Sequence, residues 1–199
     1  GGKAAIKLDG AQMLATSINL SATSTLNDAS LAVTSGIAKA EAAATIDVQS
    51  SQLRTTENFT AQATTTVNTS TFTTPIAASV QRVDARATVN VGGSSTLTVA
   101  GDAQLGATTS VSTNATPTSA LANKAGDAAV AVSDVTSVAQ VRVTGTTTAT
   151  VTGKLGLAAA NTVSTTSIAD AAAAGGNAAG AAVAVSVIDS TTSAVVDGQ

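Results

Sequence analysis

Valine and isoleucine recur at alternate positions in short runs, and the runs themselves recur along the chain. The stretch AAVAVSVIDSTTSAVVDG, residues 181–198, aligns without gaps on AAVAVSDVTSVAQVRVTG, residues 128–145, at an offset of 53. Val130 then falls on Val183, Val132 on Val185, Val135 on Ile188, Val143 on Val196 and Gly145 on Gly198. A third copy, IAASVQRVDARATVNVGG, lies 52 residues upstream and sets Val80, Val83, Val89, Val91 and Gly93 on Val132, Val135, Val141, Val143 and Gly145. A fourth, VTSGIAKAEAAATIDVQSS, sits 43 earlier and sets Val33, Ile37, Ala40, Ile46 and Val48 on Ile76, Val80, Val83, Val89 and Val91. Alternation in V-x-V pairs such as Val89–Val91 and Val141–Val143 marks strands with one buried face.

A finer ladder runs inside the long repeat. Ile6, Leu26, Ile46, Val67, Val89 and Val111 are spaced by 20, 20, 21, 22 and 22 residues, and the series resumes at Val141 and Val163, 22 apart. It ends near Ala194. The two longer gaps hold TNATPTSALANKAGD from Thr113 and TSIADAAAAGGNAAG from Thr166, whose Ala, Gly, Asn and Pro content reads as loop. The spacing predicts an all-β fold, a parallel β-helix (β-solenoid) with about 20–22 residues per turn, forming one continuous segment over residues 1–199 with enlarged loops near 113–127 and 166–180. In such a coil no turn buries its own apolar side chains; stacking on its neighbours does so. The predicted core ladder is Ile6, Leu26, Ile46, Val67, Val89, Val111, Val141 and Val163 in one aligned stack. Gly92, Gly93, Gly101, Gly106, Gly145, Gly153 and Gly156 read as corners, where positive φ is cheap for glycine. A β-sandwich and a helical repeat compete with this reading. GIAKAEAAA from Gly36 is alanine-rich enough for a helical turn, but it aligns with segments full of β-branched residues, which favours strand.

Composition supports a thin core. Hydrophobic residues make up 44% of the chain but aromatics only 1%, Phe59 and Phe72. Large side chains normally dominate the core of a globule, so Ala and Val here suit a narrow space between stacked strands. Charged residues are 11% and the net charge is −3, with no basic patch to bind nucleic acid. Cys is absent, which removes disulfide frameworks and thiolate metal sites. His, Tyr and Trp are absent too, which removes the usual general base and imidazole ligands. No catalytic residue, cofactor or metal site is predicted. The run AAAAGGNAAGAAVAVSVI, residues 171–188, is too rich in Ala and Gly, with Asn177 in its middle, for a membrane span. It reads as a loop entering a strand. Residues 1–10 lack a signal-peptide layout, and the chain reads as a piece of something longer.

Three groups of residues invite a chemical reading. Arg82, Asp84 and Arg86 share a strand face, and a solvated strand edge that discourages pairing is the favoured account. Asp9, Asp102, Asp127, Asp189 and Asp197 sit beside Gly or in turns, but calcium needs several converging carboxylates, so they read as turn formers. The segments TTTVNT from Thr64, STFTT from Ser70 and TATVT from Thr148 put Thr at alternate positions, as on the hydroxyl and methyl face of an ice-binding solenoid. No strict T-x-T recurs in every turn of the 20–22 ladder, which makes this the least favoured reading.

The passage GGNAAGAAVAVSVIDSTTSAVVDG, residues 175–198, resembles the recurrent unit of giant repetitive bacterial surface proteins of the filamentous-haemagglutinin and large-adhesin type. In that unit a Gly/Ala segment leads into G-A-A-V-A-V, a polar D-x-T-T-x-A strand and a D-G turn. INLSATSTL from Ile18 and LTVAGDAQLGATTSVST from Leu97 are similar to the intervening turns. The resemblance implies a right-handed parallel β-helix, secreted to the bacterial cell surface or extracellular space, and it carries no catalytic or binding residues. The function it implies is a structural stalk or fibre segment, adhesin- or matrix-like. Expected partners are other copies, through the solenoid ends, and a host-cell or matrix glycan or protein, with no nucleic acid and no membrane span. A carbohydrate-binding or carbohydrate-active β-helix is the alternative, and an ice-binding solenoid is less favoured.

Overall fold

The computed structural model describes residues 1–28, 37–69, 78–117, 126–171 and 179–197. These form thirteen strands: β1 (Gly2–Asp9), β2 (Gln12–Ala15), β3 (Ile18–Asp28), β4 (Ile37–Gln49), β5 (Gln52–Thr55), β6 (Phe59–Thr69), β7 (Ala78–Gly92), β8 (Thr96–Val99), β9 (Ala103–Ala115), β10 (Gly126–Thr144), β11 (Thr148–Val151), β12 (Leu155–Ser167) and β13 (Ala179–Asp197). Every third strand returns to the same sheet. Sheet 1 runs β1-β4-β7-β10-β13, sheet 2 runs β2-β5-β8-β11, and sheet 3 runs β3-β6-β9-β12. All neighbours are parallel and in register. The fold is a parallel β-solenoid, and the alanine-rich segment after Gly36 is strand β4.

The long repeat is the turn, and the short ladder is about half of it. Ile6 pairs with Ile46, Ile46 with Val89, Val89 with Val141 and Val141 with Ala194, so successive turns take 40, 43, 52 and 53 residues rather than 20–22. The remaining ladder residues pair among themselves on sheet 3: Leu26 with Val67, Val67 with Val111 and Val111 with Val163. The eight residues are thus two columns on two sheets, not one stack. Their even spacing arises because sheet 2 contributes only four-residue strands, so a step from sheet 1 to sheet 3 spans nearly half a turn.

The longer turns carry the longer described strands on sheets 1 and 3. β10 begins four residues before Val130, the partner of Ala78 where β7 begins, and β9 runs two residues past Thr113, the partner of Thr69 where β6 ends. The predicted loops at 113–127 and 166–180 therefore shrink to the connections between Ala115 and Gly126 and between Ser167 and Ala179. Their centres, residues 118–125 and 172–178, lie outside the described residues, as do Val33, Ile76 and Gly198 of the aligned repeats. Among the described residues no helix is long and apolar enough to cross a membrane.

Side chains of all three sheets meet in one core. Ile46, Val48, Val89, Val91 and Val141 from sheet 1, Leu53, Leu97 and Val99 from sheet 2, and Leu20, Phe59 and Leu105 from sheet 3 form a single apolar cluster. A smaller cluster of Ala40, Ala42, Val67, Val83, Ala85, Val111 and Val135 lies between sheets 1 and 3 alone. Buried hydroxyls lie in the same interior, and several are paired, as is usual on burial, while Ser79 Oγ and Thr113 Oγ1 have no hydrogen-bond partner among the described residues. Thr65 Oγ1 donates to the Arg86 carbonyl at 2.7 Å. Ser137 Oγ donates to Asn161 Oδ1 at 2.7 Å and lies 3.1 Å from Thr109 Oγ1.

The corner from sheet 1 to sheet 2 is a second ladder, built from backbone geometry. Gly10, Ser50, Gly93 and Gly145 occupy equivalent places and have φ of 63°, 48°, 67° and 74°. This left-handed region is cheap for glycine and costs an L-residue about 1–2 kcal/mol, so Ser50 carries strain that its three counterparts avoid. The corner hydroxyls are bonded both within and between turns. Ser95 Oγ donates to the Gly92 carbonyl at 2.6 Å and accepts from the Ser51 N–H at 3.2 Å. Ser51 Oγ in turn accepts from the Ala11 N–H at 3.1 Å. Gly106 and Gly156, read above as corners, lie within β9 and β12 on the outward face.

Candidate functional site

The residues with ionic chemistry lie chiefly on the outer face of sheet 1. On β7 the side chains of Arg82, Asp84 and Arg86 project outward, while Val83 and Ala85 between them are buried. Arg86 grips Asp84 with two of its guanidinium nitrogens, Nε to Oδ1 at 2.8 Å and Nη2 to Oδ2 at 3.0 Å. That bond holds the guanidinium's pKa above its ordinary value. Arg82 reaches across the strands to Asp134 on β10, with Nη2 2.9 Å from Oδ2. On β4, Lys39 Nζ lies 2.5 Å from Glu41 Oε1, and this hydrogen bond holds the Glu41 carboxyl below the usual range. What the Lys39 contact adds to stability is present above the ordinary carboxylate pKa and is lost as pH falls through the lowered one. Both groups are exposed, so the contribution is small.

This cluster does not guard an edge. β7 is the central strand of sheet 1, with two strands on either side. In a solenoid the only edges are the ends of the stack, so charges on an inner turn meet charges on the turns above and below. Lys3, Glu41, Asp84 and Arg86 line a shallow depression on this face, where Glu41 and Asp84 are register neighbours.

The aspartates read as turn formers take different places. Asp102 Oδ1 accepts from the Lys154 N–H at 2.8 Å, and the Asp102 N–H donates to Asn58 Oδ1 at 2.9 Å, forming a ladder at the corner from sheet 2 to sheet 3. Asp9 pairs with Lys7 at 3.7 Å. Asp127, Asp189 and Asp197 belong to β10 and β13, with Asp127 opposite Gly180. Among the described residues no group of three or more Asp, Glu, His or Cys converges on a point.

The threonine segments separate in space. Thr64 and Thr66 lie on the outer face of sheet 3, and Thr148 and Thr150 on that of sheet 2. The segment from Ser70 lies outside the described residues. Register also brings Thr23 and Thr108 beside Thr64 and Thr25 beside Thr66, with Thr162 in the same column as Thr66 beyond Ser110. A half-turn period conceals these neighbours, because they recur only at full-turn distances. No protein-family model, curated protein or solved structure matches the chain.

Proposed function

We propose that this chain is a structural segment of a secreted, adhesin- or matrix-like cell-surface protein, a stretch of stalk or fibre without enzymatic activity. The observation that carries the reading is the unbroken register from β1 to β13, in which each turn serves as template and lid for the next. The outer charges of sheet 1 fit this role, since they pair with one another, Arg82 with Asp134 between turns and Arg86 with Asp84 along one strand. The dimensions add a constraint. Five stacked strands rise only about 20 Å from first to last, whereas the 19 residues of β10 extend about 60 Å. The described stack is wider than it is tall, so a stalk requires many more turns or the stacking of copies.

The β13 end is suited to further stacking. Ile188 and Val196 occupy core-facing positions, yet they are 48% and 57% exposed where their partners Val135 and Val143 are 0% and 6%. Another parallel turn would bury them and satisfy the free edge. Analytical ultracentrifugation and electron microscopy over a concentration series test this. The chain is expected to grow into linear fibres, and Ile188→Asp with Val196→Asp is expected to keep it monomeric at unchanged secondary structure. A wild-type chain that stays monomeric throughout would refute end-to-end stacking.

The second reading, carbohydrate binding or processing, rests on the depression lined by Lys3, Glu41, Asp84 and Arg86. A glycan array and a polysaccharide-cleavage assay test it. Binding or turnover lost in Asp84→Asn would favour it over the structural reading.

A further inference from the structure

We infer that the outer face of sheet 3 is an ice-binding face. Pairing between turns places Thr23 beside Thr64 and Thr64 beside Thr108, and in the next column Thr25, Thr66, Ser110 and Thr162. A third column consists of Asn27, Asn68, Ser112 and Ser164. Three successive turns thus present T-x-T, T-x-T and T-x-S in register. The regularity is invisible at a period of 20–22 residues and appears only at the true turn lengths.

The face is a grid. Neighbours lie about 4.8 Å apart across strands and about 6.6 Å apart along them, two residues at about 3.3 Å each. Threonine's β-branch restricts χ1, so each hydroxyl and methyl is held in place before any ligand arrives. The border is fixed by Asn68, whose Nδ2 donates to Asn27 Oδ1 at 2.7 Å. Behind the grid, Thr65, Val67, Thr109 and Val111 are buried to 1% exposure or less, which keeps the sheet rigid. A preorganised surface of this kind loses little entropy on binding.

Charge decides what such a surface can hold. No outward position from Asn19 to Asn27, Thr60 to Asn68, Gln104 to Asn114 or Gly156 to Thr166 is charged. The outer face of sheet 1, by contrast, carries Lys39, Glu41, Arg82, Asp84, Arg86 and Asp134. Charged groups bind water in shells of their own geometry. Neutral hydroxyls at a fixed repeat anchor water in the repeat of the surface, and methyls between them leave room for a water cage. A protein partner calls for Trp, Tyr or Arg anchors, and a sugar polymer calls for aromatic platforms, and these outward positions have neither. The occupant that fits a neutral, rigid, two-dimensional hydroxyl lattice is crystalline water.

The test is thermal hysteresis and inhibition of ice recrystallisation by the purified chain, with Thr66→Lys at the centre of the grid and Thr88→Lys on the outer face of sheet 1 as control. The wild type and Thr88→Lys are expected to shape ice crystals and slow their coarsening, and Thr66→Lys to lose most of this effect at unchanged circular dichroism. A wild-type chain without either activity at millimolar concentration overturns the inference. So does Thr66→Lys acting like wild type, or adsorption to cellulose or chitin without any effect on ice.

Discussion

Val89→Asp is expected to unfold the stack or expel β7 from it. Val89 is 0% exposed, has Ile46 on one side and Val141 on the other in the central column of sheet 1, and belongs to the core shared by all three sheets. The described residues that surround it in this core are apolar, and an unpaired buried charge costs several kcal/mol even after relaxation. Folded domains are stable by only about 5–15 kcal/mol, so one such site consumes much of the margin. The neighbouring turns lose a stacking face at the same time, because turns of a solenoid are stabilised by their interfaces. Chemical denaturation followed by circular dichroism checks this against Thr88→Asp, one residue along but facing outward. The account requires a large loss for Val89→Asp and little change for Thr88→Asp. Equal midpoints would show that this column is not buried.

Phe59→Ala is expected to cost about 3–5 kcal/mol, the usual range for a buried phenylalanine. Phe59 is fully buried where sheet 3 begins, between Ile18 on one turn and Ala103 on the next. Most of the core is Ala and Val, and the small Ala103 stacks directly on the ring. Phe59→Leu keeps more of the volume and is expected to lose markedly less. The denaturant midpoint should fall in that order with the slope m unchanged, since the surface exposed on unfolding is nearly the same. Equal losses for Ala and Leu would mean that the ring does not fill the core.

Alternating β-branched residues make the strands of sheet 1 and their register legible in the sequence. The offsets of 43, 52 and 53 found by aligning apolar positions are the register offsets of sheet 1. The turn length was less legible, because Ile6, Leu26, Ile46 and Val67 are chemically alike whether they stack directly or face each other from two sheets. Only sheet 2 distinguishes the cases, and its strands, such as Gln52–Thr55, are too short to show a period. Alignment also cannot say which face a residue takes. Val80 and Val83 both match valines in the next copy, yet a two-residue period can bury only one of them. Val83 is buried and Val80 faces outward with Val132 and Val185. The ion pair of Arg82 with Asp134 lies at the offset of 52 that the alignment gives, but an alignment of apolar positions leaves charges out; the threonine grid is made between turns of sheet 3, at separations that a period of 20–22 residues conceals.

The central claim, that a turn takes 40–53 residues and passes through three sheets, can be tested by cross-linking. The chain has no cysteine of its own, so introduced pairs report without background. Thr45 and Thr88 are register neighbours on the outer face of sheet 1, about 4.8 Å apart, within the roughly 4.4–6.8 Å that a disulfide spans between Cα atoms. Thr45 and Thr66 would be neighbours if a turn took 21 residues, but the structure places them on opposite sheets. Under mild oxidation, Thr45→Cys with Thr88→Cys is predicted to close an intrachain disulfide, while Thr45→Cys with Thr66→Cys keeps free thiols. Closure of the second pair and not the first would contradict the account.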